Sequence, residues 1–244
     1  MLPKTITSLQ HPLVSHWLLL RKERPFREEK KEVLIAGETL VRELSPELEL
    51  LSLITDEPVK GIRAKEHYLV TPEILKKITG LGQPDGFAAV VALPQSQDLR
   101  TKKSLLVLDQ LADPGNIGTL LRTALALGWE GIVTTPGTVD LFNDKAIRAA
   151  RGATFRLPYM HQSQEELALW LGEKNPILAD IDGECLDRVA LPSPVTLILS
   201  SEAHGPQSWA EKIAQKVSIP MQGSVESLNV ASAGAILLYA LRPR

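Results

Sequence analysis

Four short runs constrain the fold of this chain more than any other feature: "SLLVLD" at 104–109, "GIVT" at 131–134, "PILAD" at 176–180 and "VTLILS" at 195–200. None of them alternates apolar with polar residues. A strand that is apolar at nearly every position is covered on both faces, as in a parallel sheet with helices on either side. Helical patterns at 117–127, 145–150, 164–171 and 228–241 fall between and after these runs. They supply the crossovers that parallel strands need. The fold class is therefore α/β. Ligands of such sheets collect outside the carboxyl ends of the strands, here from Asp109, Thr134, Ser200 and Ile219 onward.

Upstream of these runs the alternation is shorter in period. A helix is predicted over 11–24, with Leu13, Trp17 and Leu20 apolar, and strands over 33–36, 50–55, 68–70 and 87–92. This makes a small α/β domain of about 90 residues. The polar stretch "LPQSQDLRTKK" at 93–103 has no apolar periodicity and reads as a connection. The expected organisation is a first domain over 1–95, a linker over 96–103 and a second domain over 104–244. With 44% apolar and 23% charged residues, the chain can bury a proper core. A net charge of −2 excludes a globally basic nucleic-acid coat but allows a local basic patch. Cys185 is the only cysteine, so no intrachain disulfide forms and a reducing compartment is expected. The opening "MLPKTITSLQHPLVSHW" lacks the basic-then-apolar order of a signal peptide. No window approaches the roughly 20 apolar residues of a membrane helix. These readings predict a cytoplasmic protein with no membrane partner.

Three stretches carry candidate chemistry. The first is "LDQLADPGNIGTLLRTALALG" at 108–128. Pro114 keeps Asp113 out of helical geometry, and Asn116 is a suitable N-cap for the helix that follows. Arg122 then falls among Leu120, Leu121, Ala124 and Leu125, where a guanidinium needs a carboxylate partner or a polar cleft. One reading pairs it with Asp109 or Asp113; another points its planar, permanently charged fork at a substrate phosphate. The second stretch, "LILSSEAHGP" at 197–206, is a strand running into a turn marked by Gly205 and Pro206, with Glu202 at the strand end. The third, "SIPMQGSVESLNVASAGA" at 218–235, runs from strand through loop into a helix that Ser227 or Asn229 can cap. Its run of Ala231, Ser232, Ala233, Gly234 and Ala235 implies something packed too close for larger side chains. Five scattered histidines and one cysteine offer no metal-ligand cluster, so no metal is expected.

In this order and spacing the three stretches resemble the motifs of the SpoU (TrmH-like) family of RNA 2′-O-ribose methyltransferases, within the SPOUT class. The resemblance spans about 105–242. It rests on Asp113, Pro114, Asn116, Gly118 and Arg122, then Ser201, Glu202 and Gly205, then Ile219 to Met221 and Ser227 to Val230. "NDKAIRAARGATFRLP" at 143–158 looks like the family's middle segment. The first half resembles the ribosomal-protein L30e-like RNA-binding domain that ribosomal-RNA members carry, with Ala36 where the family often has Glu before Gly37. Ser200 and Ala203 stand where the family commonly has Gly, and Ala150 where it has a small polar residue.

The resemblance implies a deep trefoil knot in the C-terminal domain and a homodimer through its last helix. It implies S-adenosylmethionine as methyl donor, S-adenosylhomocysteine as product and a ribose 2′-hydroxyl of RNA as acceptor, with 23S-type ribosomal RNA ahead of transfer RNA. It assigns the cofactor slot to Ser200, Ser201, Gly205, Ile219, Met221 and Leu228. Arg122 is assigned to activate the hydroxyl or hold the neighbouring phosphate, with Asn116, Glu202, Ser227 and Asn229 arranging the reaction. Lys145, Arg148 and Arg151 recur every three residues and read as a basic stripe for RNA, with a second, Glu-diluted run at 21–31. Two other classes compete. A nucleotide-dependent oxidoreductase is disfavoured because no G-x-G-x-x-G follows the first strand of either half. A non-catalytic RNA-binding or ribosome-assembly protein retaining the fold would bind RNA without methyl transfer.

Overall fold

The structure is a computed structural model that describes residues 3–190, 194–201, 205–222 and 227–243. It divides into two compact units, Met1–Pro94 with Phe142–Gly152, and Gln95–Leu141 with Ala153–Arg244.

The first unit contains β1 (Lys4–Ile6), α1 (Pro12–Lys22), α2 (Arg24–Lys30), β2 (Glu32–Ala36), α3 (Glu38–Leu44), β3 (Leu50–Thr55), β4 (Ala64–Val70), α4 (Pro72–Thr79) and β5 (Phe87–Ala92). The strands form one mixed sheet in the order β1-β4-β3-β5-β2. Trp17, Leu20, Ile54, Ile74, Ile78 and Val90 pack together in its core. On α1 the buried apolar positions are Val14, Trp17 and Leu20, and Leu13 packs half-buried against the same cluster. The helix expected to run to residue 24 ends earlier, because Glu23 is extended and Pro25 starts a new helix. Arg27, 3% exposed, explains how the break is stabilised. Its Nη1 donates to the carbonyls of Leu20 and Arg21 at 2.8 and 3.1 Å, satisfying orphan acceptors at the end of α1. The run at 21–31 is therefore not a free basic stripe. Arg27 is buried, while Arg24 pairs with Glu28 and Lys30 with Glu29.

The second unit begins with β6 (Leu105–Asp109), α5 (Pro114–Ala126) and β7 (Gly131–Thr134). Next in the chain comes α6 (Asp144–Ala150), which buries Ala146, Ile147 and Ala150 and groups with the first unit, although 142–152 was expected in the second domain. The second unit resumes with α7 (Ala153–Arg156), β8 (Tyr159–His161), α8 (Gln164–Leu171), β9 (Pro176–Cys185), β10 (Thr196–Ser200), α9 (Ser208–Ile213), β11 (Gln215–Ser218) and α10 (Val230–Ala240). Its six strands are all parallel, in the order β11-β9-β10-β6-β7-β8. Strands β6 and β7 are buried at every position, as their unbroken apolar runs require. The order reverses between β6 and β10, where Ser200 pairs in register with Asp109. Sheets of this kind open their crevices beside such a reversal. The threading expected of the C-terminal chain turns on loops that include 202–204 and 223–226, which lie outside the described residues.

Helix α10 accounts for the small-residue run. Ala231 and Gly234 are buried, Ser232 is exposed, and Ala233 and Ala235 are half-buried. A Cβ at Gly234 would meet Leu120 Cδ2 of α5 at 2.3 Å and Leu199 Cδ1 of β10 at 2.7 Å. Glycine is required there by space. Trp129 anchors the far end of α10 by donating its Nε1 hydrogen to the Leu238 carbonyl at 3.3 Å.

Candidate functional site

Helix α5 starts one turn earlier than the sequence suggests, because Asp113 rather than Asn116 is its N-cap. The backbone N–H of Asn116 donates to Asp113 Oδ1 at 2.7 Å, and Pro114 occupies the first turn, where its missing N–H is harmless. This leaves the Asn116 side chain free to point away from its own backbone. Its Oδ1 accepts from Asn229 Nδ2 at 3.2 Å. Asn229 in turn caps α10, its Oδ1 accepting from the N–H groups of Ala231 and Ser232 at 2.9 and 3.4 Å. The positive ends of two helices therefore meet at one amide pair.

Arg122 stands two turns into α5, exposed, and makes no ion pair or hydrogen bond among the described residues. The two carboxylates that could have neutralised it are otherwise engaged. Asp113 caps the helix. Asp109 is fully buried and accepts from Thr135 Oγ1 at 2.6 Å, Gln164 Nε2 at 2.9 Å and Trp209 Nε1 at 3.2 Å. The helix is apolar on one face only, and Arg122 lies on the other.

A pocket of about 390 Å³ opens beside the middle of β9, the carboxyl ends of β10 and β11, and α10. Ser200, Ser201, Gly205, Ile219, Met221 and Leu228 all line it, as does Ser227. Gly205 has φ +66°, a conformation suited to glycine, whereas Ser200 ends β10 in ordinary strand backbone and loses nothing by not being Gly. Glu202, Ala203 and His204 lie outside the described residues. The pocket walls also contain Asp180, Ile181 and Ala233, which sequence reasoning did not single out. No strong sequence signal marked them, because the apolar run "PILAD" reads as a strand ending at Asp180, whereas β9 continues to Cys185. Burial opposes ionisation of Asp180. Hydrogen bonds from Lys216 and from the backbone N–H groups of Asp182 and Ile181 outweigh it and hold the carboxyl below its usual range.

The basic residues expected to contact RNA are distributed less regularly than their spacing implies. Lys145 is exposed in the first turn of α6. Arg148 donates to Asp144 at 2.8 Å, so part of its charge is balanced. Arg151 is exposed but lies beyond the helix end, in left-handed backbone at φ +50°. The stripe breaks there because the chain leaves the helix. Among the described residues no group of three His, Cys, Asp or Glu side chains is placed to hold a metal ion, and no helix is long and apolar enough to cross a membrane.

Fold and site together define a parallel α/β domain whose ligand crevice lies across its strand ends, beside two converging helix N-termini. Residues 103–239 match the SpoU rRNA Methylase family model, and the chain belongs to that family. It is 32% identical to the 23S rRNA (guanosine(2553)-2′-O)-methyltransferase RlmP of Bacillus subtilis (strain 168), over 98% of this chain and 99% of that protein. Among solved structures it resembles an AdoMet-bound rRNA methyltransferase from Sinorhizobium meliloti, with TM-score 0.87, 26% identity and coverage of 98% and 97%. It also resembles the SpoU methyltransferase AviRb from Streptomyces viridochromogenes in complex with AdoMet, with TM-score 0.83, 25% identity and coverage of 95% and 97%.

Proposed function

We propose that this protein methylates a ribose 2′-hydroxyl of RNA with S-adenosylmethionine as donor, and that its substrate is ribosomal RNA of the 23S type. The observation that carries this reading is the arrangement in the second unit. A pocket at the strand ends stands with the Asn116–Asn229 pair between two helix starts, and a guanidinium unpaired among the described residues lies further along α5. Relatives named for 23S ribosomal RNA 2′-O-methylation support the substrate class.

The pocket's chemistry fits the donor. Ile181, Ile219, Met221 and Leu228 offer apolar walls to a planar base, and Asp180, Ser200, Ser201 and Ser227 offer hydrogen-bonding groups to its polar parts. When bound, S-adenosylmethionine supplies a methyl group on a sulfonium, which passes to the 2′-oxygen and leaves S-adenosylhomocysteine. Because the donor is already activated, the protein's contribution is alignment and handling of the hydroxyl proton. Asn116, Ser227 and Asn229 orient the acceptor beside the pocket, and Glu202 belongs to the same set. A guanidinium is a weak proton acceptor. Arg122 therefore serves best by fixing the phosphate next to the target ribose. Transfer of labelled methyl from S-adenosylmethionine to ribosomal RNA, with mapping of 2′-O-methyl sites in cells with and without the gene, tests this function. Labelling of transfer RNA instead, or binding of RNA without transfer, overturns it.

Asn229→Asp separates the two jobs of that residue. The carboxylate still caps α10, so the melting temperature is expected to stay within about 2 °C. It no longer donates to Asn116, so kcat is expected to fall at least about tenfold. Equal loss of stability and activity would make Asn229 a cap and nothing more.

Lys145 and Arg151, exposed near or beyond the ends of α6, are proposed with Arg148 to contact RNA phosphates. Lys145→Ala and Arg151→Ala are each expected to lower RNA affinity at low salt and reduce the slope of log K against log salt by about 0.7–0.9. An unchanged slope would return these residues to a solvated surface. The first unit is proposed to bind the RNA substrate as an L30e-like domain, and the C-terminal chain to be threaded into a knot. We place the protein in the cytoplasm, consistent with its single cysteine. Exposed Ile236 and Tyr239, three residues apart on α10, support a homodimer through that helix. Ile236→Glu with Tyr239→Glu is expected to halve the mass measured by light scattering. A mass unchanged from wild type would exclude this face.

A further inference from the structure

The connection between β10 and α9 supplies Ser201, Gly205 and Pro206 to the wall of the pocket. Both of its ends meet the same residue. At its start, Ser200 pairs in register with Asp109, the last residue of β6. At its far end, Trp209, the second residue of α9, donates its Nε1 hydrogen to Asp109 Oδ2 at 3.2 Å. Asp109 is 0% exposed and is held on its other oxygen as well. Thr135 Oγ1, just past β7, and Gln164 Nε2, at the first residue of α8, donate to Oδ1 at 2.6 and 2.9 Å. The three donors are all neutral. A buried carboxylate satisfied in this way depends on each of them, because an orphaned lone pair costs its desolvation. The indole bond is charge-assisted and stronger than a neutral one.

We infer that Asp109 is a positioning residue for the donor pocket. Its bond to Trp209 fixes the far end of the β10–α9 connection, and so sets the wall that Ser201, Gly205 and Pro206 form. The inference rests on the methyltransferase reading and adds to it a residue, outside the pocket lining, that governs donor affinity. The physical reason is preorganisation: a wall already ordered spares the ligand the cost of ordering it.

Calorimetric titration of the full chain with S-adenosylhomocysteine tests this on two matched variants. Trp209→Phe keeps an aromatic ring against the sheet's core and loses the N–H. Trp170→Phe makes the same change on α8, where Nε1 donates to Gln162 Oε1 at 3.0 Å, away from the pocket lining. Each is expected to lower the melting temperature by no more than about 4 °C. Trp209→Phe is expected to weaken S-adenosylhomocysteine binding at least about fivefold, and Trp170→Phe to stay within about twofold of wild type. In Asp109→Asn, an amide that keeps its oxygen on Thr135 and Gln164 turns its own N–H groups toward the indole N–H. That variant is expected to bind more weakly than Trp209→Phe, and adding Trp209→Phe to it is expected to recover part of the loss. Wild-type affinity in Trp209→Phe, equal losses in both Trp variants, or simple additivity in the double variant overturns the inference. Failure of the wild type to bind S-adenosylhomocysteine overturns the methyltransferase reading instead.

Discussion

Arg122→Ala is expected to abolish methyl transfer to RNA while S-adenosylhomocysteine still binds within about twofold of wild type. The guanidinium is exposed on α5 and is not among the residues that line the pocket. It makes no ion pair among the described residues, so its removal orphans no buried partner among them. Surface changes of that kind cost within about 0.5 kcal/mol of stability. The loss therefore falls on the reaction, where removing one preorganised group that aligns or stabilises charge costs on the order of 100- to 1000-fold or more in kcat. Single-turnover transfer of labelled methyl measures the chemistry, and calorimetry measures donor binding. A variant that loses donor binding together with turnover would show that Arg122 shapes the pocket. One that retains turnover would remove it from the reaction.

Replacing Gly234 by Val is expected to be the most damaging core change in the second unit. The first added carbon already falls 2.3 Å from Leu120 Cδ2 and 2.7 Å from Leu199 Cδ1, and both leucines are fully buried, with no room to swing aside. Overpacking of this kind costs about 1–3 kcal/mol, at about 2–4 °C of melting temperature per kcal/mol for a protein of this size. Leu199 also lines the pocket, so the strain reaches the ligand site and S-adenosylhomocysteine affinity should fall with stability. Gly234→Ala already places that first carbon against both leucines, so it is expected to destabilise too, by less than Val because it adds no further carbons and regains up to about 1 kcal/mol of helix propensity. Thermal unfolding with and without ligand separates the two effects. A Val variant as stable as wild type would mean that α10 does not sit against Leu120 and Leu199.

The strands with unbroken apolar runs were legible because burial on both faces leaves a local mark at every position. Strand β8 and helix α9 were not, being too short, at three and six residues, to show a period. Cap assignment at α5 failed for a related reason. Asp113 and Asn116 are both good capping residues, and only the hydrogen bond from the Asn116 N–H to Asp113 decides between them. The exposure of Arg122 was hidden by its apolar neighbours, because sequence adjacency on a helix is not facial adjacency. The basic stripe at 145–151 was over-read in the same way, since its last member lies past the helix end.

By itself the sequence determined the α/β class and the residues around the strand-end pocket. Strand burial, turn chemistry and motif spacing are all local properties of the chain. Tertiary structure alone decided which of those residues meet. It brought Asn229 to Asn116 across 113 positions, seated Gly234 on Leu120 and Leu199, and paired Asp180 with Lys216. Each of these depends on parallel strands joined by long crossovers. Such a sheet sets side by side residues whose separation along the chain carries no information about their separation in space.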